Sequence, residues 1–200
     1  MRAKKTNTEV RQEQIEQAAL HLIGTDGIHS LSISRIAESV GIVPSAVYRH
    51  FKSKEDVLDL VLKHIGERLV NNVAAARKES ADSVDCLKSL MIRHAGMLEE
   101  NRAIPHVIFS DSFYTGNPDR KGMVKNVIFN YLAKIEDIIQ QGQEMKNIRK
   151  EIDAKTLSVM FLGMVLPAAV LWNVSDGKFD ISEHVTKAWP AFKRSILPDP

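Results

Sequence analysis

The residues from Leu31 to Leu58, LSISRIAESVGIVPSAVYRHFKSKEDVL, constrain the fold more than any other stretch of the chain. Two short helical patterns flank Gly41, a residue type that tolerates the positive φ at which helices commonly end. The hydroxyl of Ser32 can cap the first helix, and Pro44 suits the first turn of the second. This pattern predicts a helix-turn-helix, a motif whose second helix lies in a groove of DNA.

The second helix presents side chains suited to DNA. Val47 and Phe51 are four residues apart and point inward, which leaves the other side chains on the outer face. Arg49 can bond guanine edges or a phosphate. Ser53 is expected to cap a third helix, with Lys54 in its first turn, where backbone N–H groups favour phosphate. The alternative is a helical hairpin with a solvated charged face, but the glycine, the proline and the caps together favour DNA binding.

The same residues resemble the TetR (tetracycline-repressor-like) family of transcriptional regulators over about residues 9 to 60. The resemblance rests on Ile36-Ala37, Gly41-Ile42, Tyr48-Arg49-His50-Phe51 and Lys52-Ser53-Lys54-Glu55, and upstream on Ile15, Ala18, Ala19, Leu22 and Gly27. It implies an all-α fold, with an N-terminal three-helix helix-turn-helix DNA-binding domain and a C-terminal helical ligand-binding and dimerisation domain. The implied boundaries are residues 1–54, with a basic arm at 1–8, and residues 55–200.

The resemblance also implies which residues contact DNA. They fall at the start of the helix before Gly41, along the helix after Gly41 and just beyond that helix: Ser32, Ser34, Arg35, Pro44, Ser45, Ala46, Tyr48, Arg49, His50, Lys52 and Lys54. Two positions depart from the family pattern, because Val43 replaces the usual capping Ser or Thr and Ala46 replaces a frequent Gly or Thr. The first departure removes a capping hydroxyl worth about 1 kcal/mol.

Helical periodicity continues through the rest of the chain. It predicts helices over about residues 54–78, 82–100 and 121–146, one from about residue 154 and one from residue 180. Pro105 is expected to interrupt one segment, and Gly116-Asn117-Pro118-Asp119 is expected to form a turn. The final helix has an apolar stripe and contains Pro190, which is expected to kink it.

The last two predicted helices offer apolar faces for a homodimer. Gly163, Ala168 and Ala169 would allow helices to approach closely, and the resemblance implies a four-helix bundle of two copies. A dimer also explains the DNA prediction, because two recognition helices one helical turn apart can bind a palindromic operator. The alternative is that these helices only complete the core of one chain.

The resemblance places a small-molecule effector pocket between about residues 82 and 172. Flexible apolar side chains and two histidines in and near this segment suit a hydrophobic effector: Met91, His94, Met97, His106, Phe109, Phe113, Met123, Phe129, Met160 and Met164. Ordinary core packing is the alternative role for each of them. The expected function is a repressor that the effector releases from DNA.

Charge and cysteine content fit a cytoplasmic DNA-binding protein. Residues 1 to 54 contain eight Lys and Arg against five Asp and Glu, whereas the remainder contains nineteen against twenty. Arg2, Lys4 and Lys5 are candidates for an arm in the minor groove, with frayed disorder as the alternative. Cys86 is the single cysteine, which excludes an intramolecular disulfide, and no neighbouring residue suggests a reactive thiol.

Other classes of protein find less support in the sequence. The segment from Thr156 to Ser175 has no charged residue and is long enough to cross a bilayer, but its polar residues favour a buried helix. There is no G-x-S-x-G, C-x-x-C, phosphate loop or metal-ligand spacing, so we expect no enzyme, metal site or cofactor. A helical lipid-binding or scaffold protein without specific DNA binding remains the alternative function.

Overall fold

The regular elements of the protein are helical. A computed structural model describes residues 7–110, 113, 117 and 119–198, and of Phe109 only the backbone; every regular element within these residues is a helix. The all-α fold class predicted from the sequence is confirmed. The chain divides into two compact units, residues 1–65 with 101–124, and residues 66–100 with 125–200. The functional boundary predicted at residue 54 stays a prediction.

The first unit contains the helix-turn-helix. Its helices are α1 (Asn7–Asp26), a 3-10 turn (Ile28–Ser30), α2 (Ile33–Val40), α3 (Pro44–Tyr48), the first part of α4 (Lys54–Glu79) and α6 (Ala103–Phe109). Helix α1 packs against α2 and α6, and α2 packs against α3. The core of this unit consists of side chains such as Ile15, Ile23, Ile36, Val47 and Leu58, each at most 2% exposed.

Local signals set the ends of α2 and the start of α3 as predicted. Ser32 Oγ accepts a hydrogen bond from the backbone N–H of Arg35 at 3.2 Å, which caps α2. Gly41 ends α2 with φ 74°, a left-handed conformation that favours glycine. Pro44 is the first residue of α3, where its missing N–H has no partner to lose. Val43 precedes it and provides no side-chain cap.

Ser53 caps the start of α4 as predicted, and Asp56 adds a second bond there. The backbone N–H of Asp56 donates to Ser53 Oγ at 3.3 Å, and the backbone N–H of Lys52 donates to Asp56 Oδ2 at 2.7 Å. These two bonds satisfy donors that would otherwise lack partners at a helix end. They also fix the short connection between α3 and α4.

The second unit is a group of long helices. It consists of the remainder of α4, α5 (Ser83–Glu100), most of α7 (Arg120–Glu144), α8 (Ala154–Val174) and α9 (Ile181–Ile196). Helix α9 packs against α5 and α8, and α5 packs against α8. The apolar stripe of α9 lies inside this unit, since Val185, Trp189, Phe192 and Ile196 are all buried. The last helix begins where it was predicted, and Asp180 caps it, because its side chain accepts from the backbone N–H of Glu183 at 2.6 Å.

The prolines and the predicted turn had different outcomes. The prediction that Pro105 interrupts its segment is wrong, because Pro105 is the third residue of α6, in the first turn, where a helix tolerates proline. Helix α9 continues through Pro190. In the predicted turn, Gly116 and Pro118 lie outside the described residues, while the backbone N–H of Asp119 donates to Asn117 Oδ1 at 3.0 Å.

Helix α8 has one face in the core of its unit and one face exposed. Ala168 and Ala169 are each 1% exposed within the chain, so the prediction that they form the contact between two copies is wrong. The exposed residues of the other face form a stripe along the helix: Val159, Met160, Gly163, Pro167, Val170, Leu171 and Val174. We call this set the α8 stripe. Because α8 is apolar almost all round, the sequence could not show which face was which.

Candidate functional site

The eleven residues predicted to contact DNA all belong to the first unit, on α2, on α3 and between α3 and the first turn of α4. The exposed members are Ser34, Pro44, Ser45, Tyr48, Arg49, Lys52 and Lys54, and the half-buried members are Ser32, Arg35, Ala46 and His50. None of them is buried. The set therefore forms a surface that can meet a ligand as large as a DNA duplex.

Helix α3 is anchored by its apolar side and exposes its polar side. Val47 has no exposed surface and Phe51 is buried, so both hold the helix against the core as predicted. Tyr48 is 56% exposed, and the exposed side chain of Arg49 has no hydrogen-bond or ion-pair partner among the described residues, although its backbone N–H donates to the carbonyl of Val47. An arginine without a partner on an exposed surface keeps all five N–H donors available for base edges or phosphates.

Arg35 and Ser53 have partners inside the protein. Arg35 pairs with the carboxylate of Asp26 and donates from Nη1 to the carbonyl of Ser30 at 3.2 Å. A phosphate at this position must therefore compete with Asp26. At the start of α4, Ser53 already accepts one N–H of the first turn, which leaves Lys52 and Lys54 as the groups expected to attract a phosphate.

A cleft beside α3 contains residues that the sequence did not single out. Asn7, Thr8, Arg11 and Gln14 of α1 line it together with His50, and its volume is about 480 Å³. Polar and cationic side chains beside the DNA-binding surface are suited to a phosphate. The sequence did not predict this cleft, because α1 and His50 are far apart along the chain. The predicted basic arm, Arg2, Lys4 and Lys5, lies outside the described residues.

Six of the predicted effector residues belong to the second unit. Met91, His94 and Met97 are buried on α5. Met164 is half-buried, whereas Met160 and Phe129 are exposed. The structure therefore places three of the six in the interior of the unit, on consecutive turns of one helix.

The other four predicted effector residues belong to the first unit. His106 and Met123 are half-buried, and Phe113 is buried with Arg120 lying over its ring at 5.0 Å from the centroid. The side chain of Phe109 lies outside the described residues. Packing against a cation within its own unit favours the alternative role of Phe113, core packing.

His94 forms a buried polar pair with Tyr131, a residue that the sequence analysis did not select. The hydroxyl of Tyr131 and Nδ1 of His94 share a hydrogen bond of 3.1 Å, and the two rings meet edge to face at 5.2 Å. Burial lowers the pKa of His94 from 6.5 to about 4 and raises that of Tyr131, since it disfavours both charged forms. Nearby, Asn72 Nδ2 donates to Met97 Sδ at 3.6 Å. These groups place hydrogen-bonding atoms among the apolar side chains of the second unit.

The lowered pKa of His94 predicts that the protein loses stability in mild acid. Unfolded, His94 binds a proton below its ordinary pKa of 6.5; folded, it does so only below about 4. Between these two pKa values the unfolded state therefore binds more protons than the folded state. As the pH is lowered through this range, the free energy of unfolding decreases by at most about 3 kcal/mol. Urea denaturation at several pH values should show a shallower pH dependence for His94→Gln than for the wild type or His184→Gln. Equal pH dependence in all three proteins would contradict the assignment.

The described part of the chain contains no group of three or more His, Cys, Asp or Glu residues arranged to hold a metal ion. Cys86 is buried, and burial is the largest cause of its raised pKa, which disfavours the reactive thiolate. The exposed residues of the candidate site offer hydrogen bonds, charge and apolar contact for recognition.

Two family models match almost the whole chain. The model for bacterial regulatory proteins of the tetR family matches residues 15–61, and the model for the C-terminal region of YsiA-like proteins matches residues 62–192. The chain belongs to the TetR family. This TetR-family protein is a DNA-binding transcriptional regulator, and the lipid-binding or scaffold alternative without DNA binding is not favoured.

Individual relatives agree with the family assignment. The fatty acid metabolism regulator protein of Bacillus subtilis (strain 168) is 23% identical over 84% of this chain and 86% of its own length. The fatty acid degradation regulator FadR from Bacillus halodurans has the same fold, with a TM-score of 0.82, 24% identity and coverage of 96% of this chain and 97% of the other. FadR from Bacillus subtilis, solved in complex with stearoyl-CoA, gives a TM-score of 0.79 at 21% identity, with coverage of 92% and 98%.

The family assignment also accounts for the apolar helix. Helix α8 is long and apolar enough to cross a membrane by length and composition alone, and 44% of its apolar window is buried. The family model for residues 62–192 spans all of α8, so this helix is part of the C-terminal domain of a TetR-family regulator and not a membrane span. The relatives are transcriptional regulators, a class of protein distinct from enzymes.

Proposed function

We propose that this protein is a homodimeric, cytoplasmic repressor that binds a palindromic operator and leaves it when an acyl-CoA binds. The observation that carries the DNA part is the exposed surface of α3, where Tyr48 and Arg49 face solvent while Val47 anchors the helix. The eleven predicted residues are the proposed DNA contacts. A recognition helix placed in this way reads base edges in a major groove.

The α8 stripe supports the dimer. Seven exposed residues, five of them large and apolar, recur along one side of a single helix. A contiguous apolar face of this kind marks an interface in a soluble protein. A two-fold symmetric contact uses the same face on both copies, so α8 would pack against α8 of the second copy. Two DNA-binding units would then be available for the two halves of a palindrome.

The proposed effector is a long-chain acyl-CoA that binds in the second unit. The relatives named for fatty acid metabolism and the stearoyl-CoA complex of the Bacillus subtilis protein support this class of ligand. Met91 and Met97 offer adaptable apolar surface for an acyl chain, and His94 with Tyr131 offers a hydrogen-bonding group in the same interior. Release from DNA requires that the effector bind the DNA-free arrangement more tightly than the DNA-bound one.

Stearoyl-CoA is expected to lower the affinity for the operator. An operator can be selected from random DNA by the wild-type protein, and its dissociation constant measured by fluorescence anisotropy with and without stearoyl-CoA. We expect an increase of about 5- to 150-fold in the dissociation constant, the usual range of coupling between two sites. Coenzyme A alone should have little effect, because it lacks the acyl chain. An unchanged dissociation constant at saturating stearoyl-CoA would contradict the proposed effector.

A pair of variants tests where the acyl chain binds. Met97→Trp places a larger side chain in the interior, whereas Met145→Trp places one at a position that is 58% exposed in the same unit. If Met97 lines the site, its variant should fold but bind stearoyl-CoA at least tenfold more weakly than the Met145 variant. If Met97 is only part of the packed core, the larger side chain should instead lower the melting temperature.

A further inference from the structure

The first unit buries one arginine completely. Arg120 is the first residue of α7, its side chain is 0% exposed, and no other lysine or arginine of the described part of the chain is buried. Burying a charge is unfavourable unless the charge is paired and hydrogen-bonded. The partners of Arg120 therefore indicate what this residue holds in place.

The guanidinium of Arg120 makes four hydrogen bonds. Nε donates to Asp59 Oδ1 at 2.8 Å, and Nη2 donates to Glu55 Oε2 at 2.6 Å and to the carbonyl of Glu55 at 3.3 Å. Nη1 donates to the carbonyl of Phe113 at 3.0 Å, in addition to the contact with the Phe113 ring. Two carboxylates thus surround one cation, and each bond is charge-assisted, the stronger kind of hydrogen bond in proteins.

These carboxylates lie beside the proposed phosphate contacts. Glu55 and Asp59 are one turn apart in the first turns of α4, and Lys54 is the first residue of the same helix. Lys52 is fixed to this turn by its bond to Asp56. Arg120 therefore holds the first turns of α4, which contain Lys54 and bind the backbone of Lys52.

The requirements of α7 itself do not explain an arginine at this position. The amino terminus of a helix carries a partial positive charge, which favours acidic side chains and disfavours a cation. Arg120 stands at the first position of α7 nevertheless, and its charge is neutralised by α4 instead. The role that fits Arg120 is therefore to join α7 to α4.

Helices α4 and α7 are also in contact within the second unit. A Cβ added at Gly66 would lie 3.2 Å from Cγ2 of Val127, so glycine allows the two helices to approach closely there. Further along, Arg77 Nη1 donates to Gln141 Oε1 at 3.1 Å. Helices α4 and α7 therefore contact each other within each of the two units.

We propose that Arg120 is a positioning residue for DNA binding. Its ion pairs with Glu55 and Asp59 hold the first turns of α4 in the arrangement that presents Lys52 and Lys54 to DNA, and they tie this end of α4 to α7. The effector part of this inference rests on the proposed function, since an effector that displaces α7 would act on DNA binding through Arg120. The DNA part stands on the contacts alone.

Two variants with opposite changes in charge test the proposal. Arg120→Gln removes a positive charge, and the double variant Glu55→Gln/Asp59→Asn removes two negative charges beside the DNA surface. Positioning by Arg120 predicts that both bind the selected operator at least tenfold more weakly than the wild type. General attraction to phosphates predicts the opposite sign for the double variant, which would then bind more tightly. Equal or tighter binding by the double variant would overturn the proposal.

The matched control is Arg68→Gln. It removes the same charge as Arg120→Gln and breaks an ion pair of α4 with Glu100, 2.7 Å long, in the second unit. Its operator affinity should stay within about threefold of that of the wild type. All affinities are measured at a temperature at which circular dichroism shows each variant folded, and if Arg120→Gln unfolds there, the double variant decides.

Stearoyl-CoA separates positioning from a general loss of structure. The proposed effector binds the DNA-free arrangement more tightly. A variant that binds DNA weakly because it favours that arrangement should therefore bind the effector at least as tightly as the wild type does. Arg120→Gln should therefore retain or increase its affinity for stearoyl-CoA. Parallel loss of both affinities would show a general defect and overturn the proposal. If the wild type does not bind stearoyl-CoA, the proposed effector fails, and the DNA measurements still decide the role of Arg120.

Discussion

Replacing Arg49 by alanine is expected to weaken operator binding by about 1–3 kcal/mol, which corresponds to roughly 5- to 150-fold in the dissociation constant. The side chain is exposed on an anchored helix and has no partner among the described residues, so its donors are available to base edges. Loss of a base contact should also relax the sequence preference at one position of each half-site. Anisotropy titrations with the operator and with single-base variants of it measure both effects.

Two lysine variants serve as comparisons for Arg49→Ala. Lys52→Ala should weaken binding to all sequences alike and reduce the salt dependence by about one phosphate contact. Lys63→Ala removes the same charge from an exposed position nine residues along α4, about 13 Å from its start, and should have little effect. If Arg49→Ala behaved like Lys63→Ala, α3 would not be the recognition helix.

Leu171→Glu is expected to separate the dimer. Leu171 lies in the α8 stripe and is 47% exposed in the isolated chain. Because the interface is two-fold symmetric, the substitution removes two leucines from it. Each leucine contributes about 1.5–3 kcal/mol of burial, so the dimer dissociation constant should rise by roughly 10²- to 10⁴-fold. Burying two glutamates without partners adds to this effect. Sedimentation velocity over a range of concentrations measures the change.

The control for the dimer is Met145→Glu, which introduces the same charge at an exposed apolar residue of the second unit outside the α8 stripe. This variant should sediment like the wild type. Operator binding should fall together with dimerisation in Leu171→Glu, because a single DNA-binding unit contacts only half of a palindrome. A wild-type protein that is monomeric at micromolar concentration would refute the proposed assembly.

The sequence predicted the helix ends of the helix-turn-helix well because the signals there are local. Ser32, Gly41, Pro44 and Ser53 each act through backbone groups within a few residues, so residue type and spacing alone indicate the geometry. The effect of Pro105 on its helix was predicted incorrectly. Pro105 occupies a first turn, and the sequence does not show on which side of a proline a helix begins.

Contacts between distant residues escaped the sequence analysis. Arg120 meets carboxylates 61 and 65 residues away, and His94 meets Tyr131 across 37 residues. No periodicity or motif connects residues at such separations; only the packing of helices does. The buried guanidinium was consequently missed, although it lies beside predicted DNA contacts.

Helix α8 shows a different limit of sequence analysis. Its apolar residues predicted burial, but a helix that is apolar nearly all round does not reveal which residues face its own core and which face a second copy. Ala168 and Ala169 looked suited to a close contact between copies, and the structure places them inside the unit, while Gly163 and Leu171 are exposed. Neighbouring helices decide the orientation.

Competitive binding to a selected operator tests the central claim most directly. The wild-type protein is titrated against its operator with an excess of scrambled DNA at two salt concentrations, and the complex is footprinted. The account predicts competitor-resistant binding and two protected half-sites centred about 34–36 Å apart, one helical turn of DNA. Binding that scrambled DNA removes and that collapses as salt increases would reflect phosphate attraction only and would contradict a sequence-specific regulator.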